Sequence, residues 1–346
     1  MAWFFPGRAP ARQIEDDLSG STVLQTGGRA KRIRAEGIDW SILFITGFLL
    51  AFGSLMVYSA SISLADSPKF DTSYTHFFVR HLISIAVAAV AGSIVYRIPM
   101  RFWERVSGIL VIIAVLLLIA VLIPGVGHSV NGARRWIGFG SLTIQVTEIA
   151  KFAALIGAAG FTVHRQEFMH SFTKGFAPMA LVMAVVAFLI NMQPDLGATF
   201  VIVCIALGVL FLGGLNLRIF MVVLAAVIFA AVMAVYMSPW RVGRVMAYLD
   251  PWSSDYALDK AYQLSHSLIA FGRGEWLGVG LGASVEKLNY LPEAHTDFIL
   301  AVVGEELGFV GVICVFIAYY FLVRRAFSIG RQAIKLDRVF SGLVAE

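Results

Sequence analysis

The chain has 346 residues, of which 59% are hydrophobic and only 14% are charged. Soluble domains carry about 25% charged residues, so this composition excludes an ordinary soluble enzyme and indicates a membrane protein. The net charge at pH 7 is +5.

Eight hydrophobic stretches are each long enough to cross the hydrocarbon core of a bilayer as a helix. Backbone polar groups in lipid must bond within their own segment, so we predict an all-α polytopic membrane protein, a helical bundle of about eight spans. The predicted spans are 40–62, 77–96, 106–124, 146–163, 176–191, 196–214, 219–238 and 298–322.

The basic residues favour one orientation of these spans. With the N-terminus in the cytoplasm, most Lys and Arg residues lie in a polar leader (1–39), in short cytoplasmic loops or in a basic tail (323–346). This distribution follows the positive-inside rule, so the positive charge needs no nucleic-acid partner. The leader has few apolar residues and is expected to be poorly ordered. Between leader and tail lies a transmembrane domain (40–322).

A long segment (239–297) joins the last two spans on the predicted outer side. It is rich in Trp, Tyr, Leu and Gly and poor in charge, so we expect a folded extracytoplasmic loop. Its amphipathic stretches, such as YQLSHSLIAF (262–271), are typical of helices that lie at a membrane surface.

Five polar clusters fall on this same outer side, and two of them flank the start of the fourth span. Arg134 and Arg135 of NGARRWIGFG (131–140) are either solvated loop charges or, beside a tryptophan, binders of an anionic head group. Glu148 and Lys151 of TEIAK (147–151) share one helix face. They form either a structural ion pair or a substrate-facing group.

Two further clusters follow in the chain. QPDLG (193–197) is a tight turn in which Asp195 is placed to cap the next helix. WRVGRVMAYLDPW (240–252) carries Arg241 and Arg244, which either bind phosphate or anchor a span end at the interface beside Trp240.

The last cluster, PEAHTD (292–297), precedes the eighth span. Glu293, His295 and Asp297 alternate, which makes a metal site conceivable, although no second group of His or Cys ligands accompanies them. Thr296 or Asp297 could cap the span. Asp297 is alternatively a general base, because the helix dipole favours its ionised form while burial opposes ionisation.

Glu305 and Glu306 lie two to three turns deeper in the eighth span. Charged groups at such positions need partners within the bundle, and Lys151 is a candidate because it enters from the same side.

The stretch 261–311, which contains YLPEAHTDF and GEELG, resembles the SEDS family (shape, elongation, division and sporulation) of bacterial cell-wall proteins. NGARRWIGFG, TEIAKF, QPDLGAT and RVMAYLDPW occur in the family's order, and the resemblance covers nearly all of residues 40–325. YLDPW and the glycine-rich run before PEAHTD are more similar to the division branch, FtsW, than to the elongation branch, RodA.

The resemblance implies a peptidoglycan glycosyltransferase that polymerises lipid II at the outer face of the bacterial inner membrane, at the division septum. Asp297 would be the catalytic base. The implied partners are a class B penicillin-binding protein transpeptidase and other division proteins, and a divalent cation, Mg or Mn, could assist. The candidate substrate-binding residues are Arg134, Arg135, Glu148, Lys151, Arg241, Arg244 and His295.

The chain departs from the family pattern in three places. QVTE (145–148) lacks the usual proline, PDLGAT (194–199) has an alanine before its threonine, and eight spans are found where the family has ten. Two other functions stay open: a lipid II flippase, for which inverted repeats, broken helices or ionisable groups at mid-membrane would argue, and a scaffold that docks a transpeptidase. The polar clusters lie on one side, which favours surface chemistry over transport.

Overall fold

The computed structural model describes residues 21–22, 33–34, 38–63, 74–130, 133–139 and 142–346. Within these ranges seven helices are long and apolar enough to cross a membrane, one of them the continuous helical stretch Phe172–Asn191, and an eighth apolar helix, Leu196–Leu212, is shorter. The chain is therefore an all-α polytopic membrane protein, as predicted. Most of the leader (1–39) lies outside the described residues, so its expected poor order stays a prediction.

The helices follow the predicted spans closely at most of their ends. They are α1 (Trp40–Ser61), α2 (His76–Arg97), α3 (Met100–Leu122), α4 (Val146–His164), α5 (Ala177–Asn191), α6 (Leu196–Leu212), α7 (Leu217–Tyr236), α8 (Pro239–Leu249), α9 (Tyr262–Gly274), α10 (Ile299–Lys335) and α11 (Val339–Ala345). A 3-10 turn (Gln166–Phe168) and a π-helical turn (Phe172–Phe176) precede α5.

Short strands complete the secondary structure. Two antiparallel two-residue strands, β1 (Ser21–Thr22) and β2 (Ile33–Arg34), pair in the leader. An antiparallel sheet of three strands, β3 (Gly127–Val130), β4 (Ala133–Phe139) and β5 (Leu142–Gln145), lies between α3 and α4 in the sequence. Residues 133–139 of the NGARRWIGFG motif thus form a strand, in which Trp136 is paired with Gln145.

The last predicted span differs most from the structure. Predicted as 298–322, it continues as α10 to Lys335, and α11 follows, so most of the predicted tail (323–346) is helical. Arg, Gln, Ile, Ala and Lys after residue 322 are compatible with a continuing helix. Phe340 and Leu343 of α11 are buried.

The described residues form two compact units, and the first takes its members from the ranges 1–44, 101–215 and 329–346. Helix α4 is its most buried long helix, and small residues let α3 approach it closely. A Cβ atom added to Gly157 would lie 2.3 Å from Val111 Cγ2, and one added to Gly160 would lie 2.3 Å from Ser107 Oγ.

The second unit contains residues 45–100 and 216–328. Its core brings together α1, α9, the start of α10 and the turns before α10. The core residues are Met56, Ala60, Ala270, Leu291, Ala294, Ala301, Val302 and Val303. Helices α2 and α7 bury no residue within the described structure, and such apolar helices suit contact with lipid.

Candidate functional site

In the second unit, helix α10 is broken at Gly308, which has φ 64° and ψ −165°. The loop 275–280 fills the break by giving two carbonyls to helix amides and two amides to helix carbonyls. The four N–H to O distances are 2.9 Å for Phe309 to Glu275, 3.1 Å for Val310 to Trp276, 2.9 Å for Val279 to Glu305 and 3.0 Å for Gly280 to Glu306. The loop therefore satisfies the polar groups that the break would leave unpaired.

Two glycines make this close approach of loop and helix feasible. Gly278 and Gly308 both have positive φ, a conformation that glycine adopts without a steric penalty. A Cβ atom on Gly308 would lie 2.4 Å from the nitrogen of Gly278, and one on Gly278 would lie 2.1 Å from the carbonyl oxygen of Glu306.

Glu306 is completely buried just before the break, and a lysine neutralises it. Lys287 Nζ lies 2.6 Å from Glu306 Oε1 and 2.9 Å from Ser59 Oγ. The Ser59 hydroxyl, from α1, donates to the same carboxylate at 2.7 Å. Ser63 donates to the carbonyl of Lys287 at 2.6 Å, so this cluster ties α1 and the loop before α10 to α10 itself.

Glu305 is also completely buried and accepts hydrogen bonds from the loop 284–286. Ser284 Oγ donates to Oε2, and the amide of Val285 donates to Oε1 at 2.9 Å. The amide of Glu286 adds a contact of 3.3 Å to Oε2, and Arg273 Nη1 lies 3.4 Å from Oε1. Both buried carboxylates thus have a cation and neutral donors, which a buried charge requires.

The prediction that Lys151 pairs with Glu305 or Glu306 was wrong. Lys151 bonds Glu148 at 2.7 Å, whereas Lys287 and Arg273 serve Glu306 and Glu305. Neither cation was predicted as their partner from the sequence. The available signal was the presence of Arg273 and Lys287 in the charge-poor segment 239–297, because a basic group in such surroundings needs an acidic partner.

Asp297 stands in contrast to these buried acids. It is exposed, it lies two positions before the start of α10, and its side chain has no hydrogen-bond or ion-pair partner among the described residues. Thr296 Oγ1 donates instead to Glu293 Oε2 at 3.0 Å. Neither Thr296 nor Asp297 makes a capping bond within this described region, so the capping alternative lacks support.

His295 occupies a different environment on the same turn. Its ring is half-buried, with its centroid 4.9 Å from that of Phe77. Burial lowers the pKa of His295 below its ordinary value, while the negative charges of Glu293 and Asp297 act in the opposite direction.

The metal-site alternative for PEAHTD finds no support in the geometry. The residues that the structure describes include no group of three His, Cys, Asp or Glu side chains able to hold a metal ion. The Glu293 carboxylate accepts a hydrogen bond from Thr296, and the His295 ring packs against the ring of Phe77.

The two arginines of α8, Arg241 and Arg244, make different contacts. Arg241 Nη1 donates to the carbonyl of Ala234 in the last turn of α7 at 2.9 Å, which caps that helix. Arg244 is exposed, with its guanidinium 4.8 Å from the ring centroid of Trp240. Its interaction with the tryptophan leaves its N–H groups available to an anion.

In the first unit, Arg135 holds the turn between α5 and α6. Its Nε donates to the carbonyl of Gln193 at 3.0 Å, and Nη2 donates to the carbonyl of Pro194 at 2.9 Å. Its Nη1 lies 3.3 Å from Asp195 Oδ2. Asp195 accepts from the amide of Ala198 at 3.0 Å, so it caps α6 as predicted.

The remaining candidates of the first unit are more accessible. Arg134 is exposed on β4, opposite Ser129, and has no side-chain partner among the described residues. Glu148 and Lys151 are on one face of α4 and pair with each other, with side-chain exposures of 59% and 28%. Both side chains of this ion pair are therefore partly accessible within the described structure.

Residues 40–346 match the family model of FtsW, RodA and SpoVE, described as cell cycle protein. The probable peptidoglycan glycosyltransferase FtsW of Burkholderia thailandensis is 53% identical over 328 residues, which cover 94% of this chain and 71% of that protein. The protein of the same name from Polynucleobacter necessarius is 54% identical over 334 residues, 96% of this chain and 79% of the relative.

Two solved structures share the fold. A chain of a peptidoglycan synthase complex, solved to study how polymerization and crosslinking are coordinated, has a TM-score of 0.68 and 26% identity. The similarity covers 89% of this chain and 82% of that one. The rod shape determining protein RodA of Thermus thermophilus has a TM-score of 0.61 and 25% identity, over 90% of this chain and 81% of its own.

Proposed function

Because the chain belongs to the FtsW, RodA and SpoVE family of cell cycle proteins, we propose that it is a peptidoglycan glycosyltransferase that polymerises lipid II during cell division. Lipid II is a disaccharide-pentapeptide carried on undecaprenyl pyrophosphate. The reaction takes place at the outer face of the cytoplasmic membrane at the division septum, with the N-terminus of the chain inside.

The observation that carries this proposal is the state of Asp297. Among the acids between residues 293 and 306, Glu305 and Glu306 are buried and fully bonded, and Glu293 accepts a bond from Thr296. Asp297 is exposed and has no partner in the described structure, so its carboxylate is available to take a proton.

In the proposed reaction, Asp297 accepts the proton of the sugar 4-hydroxyl of the incoming lipid II. The hydroxyl oxygen forms a bond to the anomeric carbon at the reducing end of the growing chain. The bond from that carbon to the lipid pyrophosphate breaks, and the pyrophosphate leaves with the electron pair. The anomeric carbon is inverted, and no acid is needed because pyrophosphate leaves as an anion.

The structure supports different roles for the basic residues. Arg134 and Arg244 are exposed and have no carboxylate partner among the described residues, so they are our first candidates for the pyrophosphate. Lys151 follows, since it would have to share its charge with Glu148. Arg135 and Arg241 bind backbone carbonyls, and we assign them to holding the turn and helix end beside the exposed arginines. His295 remains a candidate hydrogen-bond donor to substrate.

No step of this reaction is assigned to a cation. The described residues do not form a three-ligand metal site, so a divalent ion (Mg or Mn) would be bound mainly by the pyrophosphate oxygens of the substrate. Adding Mg or Mn to the polymerisation assay described below tests whether a divalent ion assists the reaction.

A transpeptidase partner is proposed on the same basis. The structural relative with the higher TM-score comes from a complex that coordinates polymerization with crosslinking. We therefore expect a class B penicillin-binding protein to accompany this chain, together with other division proteins.

The test is a polymerisation assay with purified chain, labelled lipid II and the cognate class B penicillin-binding protein. Wild type should form glycan strands, and Asp297→Ala should form none. Glu293→Gln, which removes a neighbouring exposed carboxylate, serves as the matched control and should retain activity. Full strand synthesis by Asp297→Ala would contradict the role of Asp297 as base.

A lipid II flippase is the second candidate, because α10 is broken and two ionisable groups are buried beside the break. The four backbone bonds that fill the break favour a fixed structure over a moving one. Lipid II translocation by wild type in liposomes, without polymerisation, would support the flippase. Loss of both activities, with retained transpeptidase binding, would support a scaffold.

A further inference from the structure

A histidine–glutamate pair in the second unit is used by none of the roles above. His266 of α9 places Nδ1 2.6 Å from Glu286 Oε2. Glu286 is only 7% exposed. The imidazole lies against the ring of Tyr262 at 4.3 Å between centroids, and it is nearly parallel to the ring of Tyr290 at 6.4 Å.

Glu286 connects three parts of the structure. Its carboxylate bonds α9 through His266, and its amide donates to Glu305 of α10 at 3.3 Å. Its carbonyl accepts from the amide of Leu291 at 2.8 Å, which closes the loop 286–291. Leu291 is a buried core residue, and the turn that carries Asp297 begins immediately after it.

Helix α9 is well suited to support this loop because its far end is fixed to α10. A Cβ atom on Gly274 would lie 1.8 Å from the carbonyl oxygen of Gly304, so the two helices are in backbone contact there. Arg273 adds its contact with Glu305 at 3.4 Å. His266 lies about 11 Å along the helix from this contact, at ~1.5 Å per residue. Helix α9 is therefore attached to α10 near Gly274 and to the loop 286–291 at His266.

We propose that His266 is a positioning residue, which acts through Glu286 to hold the segment 286–297 and thereby places Asp297 for catalysis. This inference rests on the proposed role of Asp297. Without His266, the buried Glu286 carboxylate would lose the partner that the described structure gives it, and it would have to turn toward water. The nearby charged groups, Arg273, Lys287, Glu305 and Glu306, are already engaged with one another and cannot replace the histidine.

The experiment compares His266→Leu with His266→Asn. The two side chains have similar size, but only asparagine offers a donor close to the position of Nδ1. The first measurement is hydrogen–deuterium exchange of the purified full chain, comparing peptides that cover 286–298 with peptides from α4. The second is lipid II polymerisation, with kcat and KM determined separately.

We expect His266→Leu to raise exchange in 286–298 and leave α4 as in wild type. Misplacement of a catalytic group by about 1 Å costs up to a hundredfold in rate, so kcat should fall about ten- to a hundredfold with KM for lipid II changed less than about twofold. His266→Asn should stay within about threefold of wild-type kcat and restore the protection of the segment.

Unchanged exchange in His266→Leu, or equal losses in the Asn and Leu variants, would overturn the proposal. Increased exchange in both the segment and α4 would also overturn it, because the effect would then be general destabilisation. The exchange comparison does not depend on enzymatic activity. A wild type that fails to polymerise lipid II would refute the proposed function, while the exchange data would still decide whether His266 holds the segment.

Discussion

Asp297 lies close in sequence to Glu305 and Glu306, yet the environments of these acids are opposite. The two glutamates are fully buried, and each has a cation and several hydrogen-bond donors. Asp297 is exposed and unpaired in the described structure. A carboxylate therefore serves structure where its charge is neutralised, and it is available for chemistry where its charge is free.

The largest expected effect falls on the exposed acid. Asp297→Asn should reduce polymerisation of lipid II about a hundredfold or more, since a general base contributes about 10²- to 10⁴-fold. Thermal unfolding in detergent should match wild type, because no bond within the described structure is lost. A lowered unfolding temperature for Asp297→Asn would mean that this residue is also structural, and the contrast with the buried pair would disappear.

The buried pair should show the reverse pattern. Lys287→Met leaves the Glu306 carboxylate buried without its cation, which we expect to cost about 3–5 kcal/mol of unfolding free energy. Lys151→Met is the matched control, because it breaks a solvent-exposed pair worth about 0.2–1 kcal/mol. Unfolding monitored in detergent against temperature or denaturant compares them. Equal losses from both variants would show that burial of the Lys287–Glu306 pair is not what matters.

A smaller difference in unfolding free energy is expected between variants of Arg135 and Arg134. Arg135→Lys loses the fork of hydrogen bonds to the carbonyls of Gln193 and Pro194, and we expect a loss of about 1.5 kcal/mol. Arg134→Lys should leave the unfolding free energy within about 0.5 kcal/mol of wild type, as for most surface changes. The same unfolding measurement applies, and a larger loss for Arg134 would reverse the assigned roles.

The smallest effect concerns pH. Burial lowers the pKa of His295 in the folded chain, so below its ordinary value of 6.5 the unfolded chain binds more protons. Stability should therefore be complete above this value and fall as the pH drops toward the folded pKa. His295→Gln should flatten this part of the curve in unfolding scans between about pH 7.5 and 5. An identical pH dependence in the variant would remove His295 as its source.

Local patterns in the sequence were sufficient for several features. Long apolar runs predict the helices, because lipid offers no other partner to the backbone. Asp195 was identified as a cap from its place in a Gln-Pro-Asp turn, and the structure confirms it. The motifs around PEAHTD indicated the family, which the comparisons confirm. The catalytic role of Asp297 stays a prediction.

Other features depended on residues that are distant in the chain. Ser59 and Glu306 are 247 positions apart, and no local periodicity reveals their hydrogen bond. For the same reason Lys151 was the wrong partner for the buried acids, and the carbonyl contacts of Arg135 and Arg241 were not foreseen. The break at Gly308 was also not predicted, because glycine is common in membrane helices. Only the loop 275–280 supplies the hydrogen bonds that replace those lost at the break.

Hydrophobicity and short-range turn preferences are encoded locally, so the amino-acid order is enough to predict that this chain crosses the membrane as helices and where its acidic residues gather. Which of those acids is neutralised follows from the packing of the folded chain. That outcome depends on which cations and amides surround each carboxylate after distant segments have packed, and it leaves Asp297 as the exposed, unpaired acid of the described 293–306 segment.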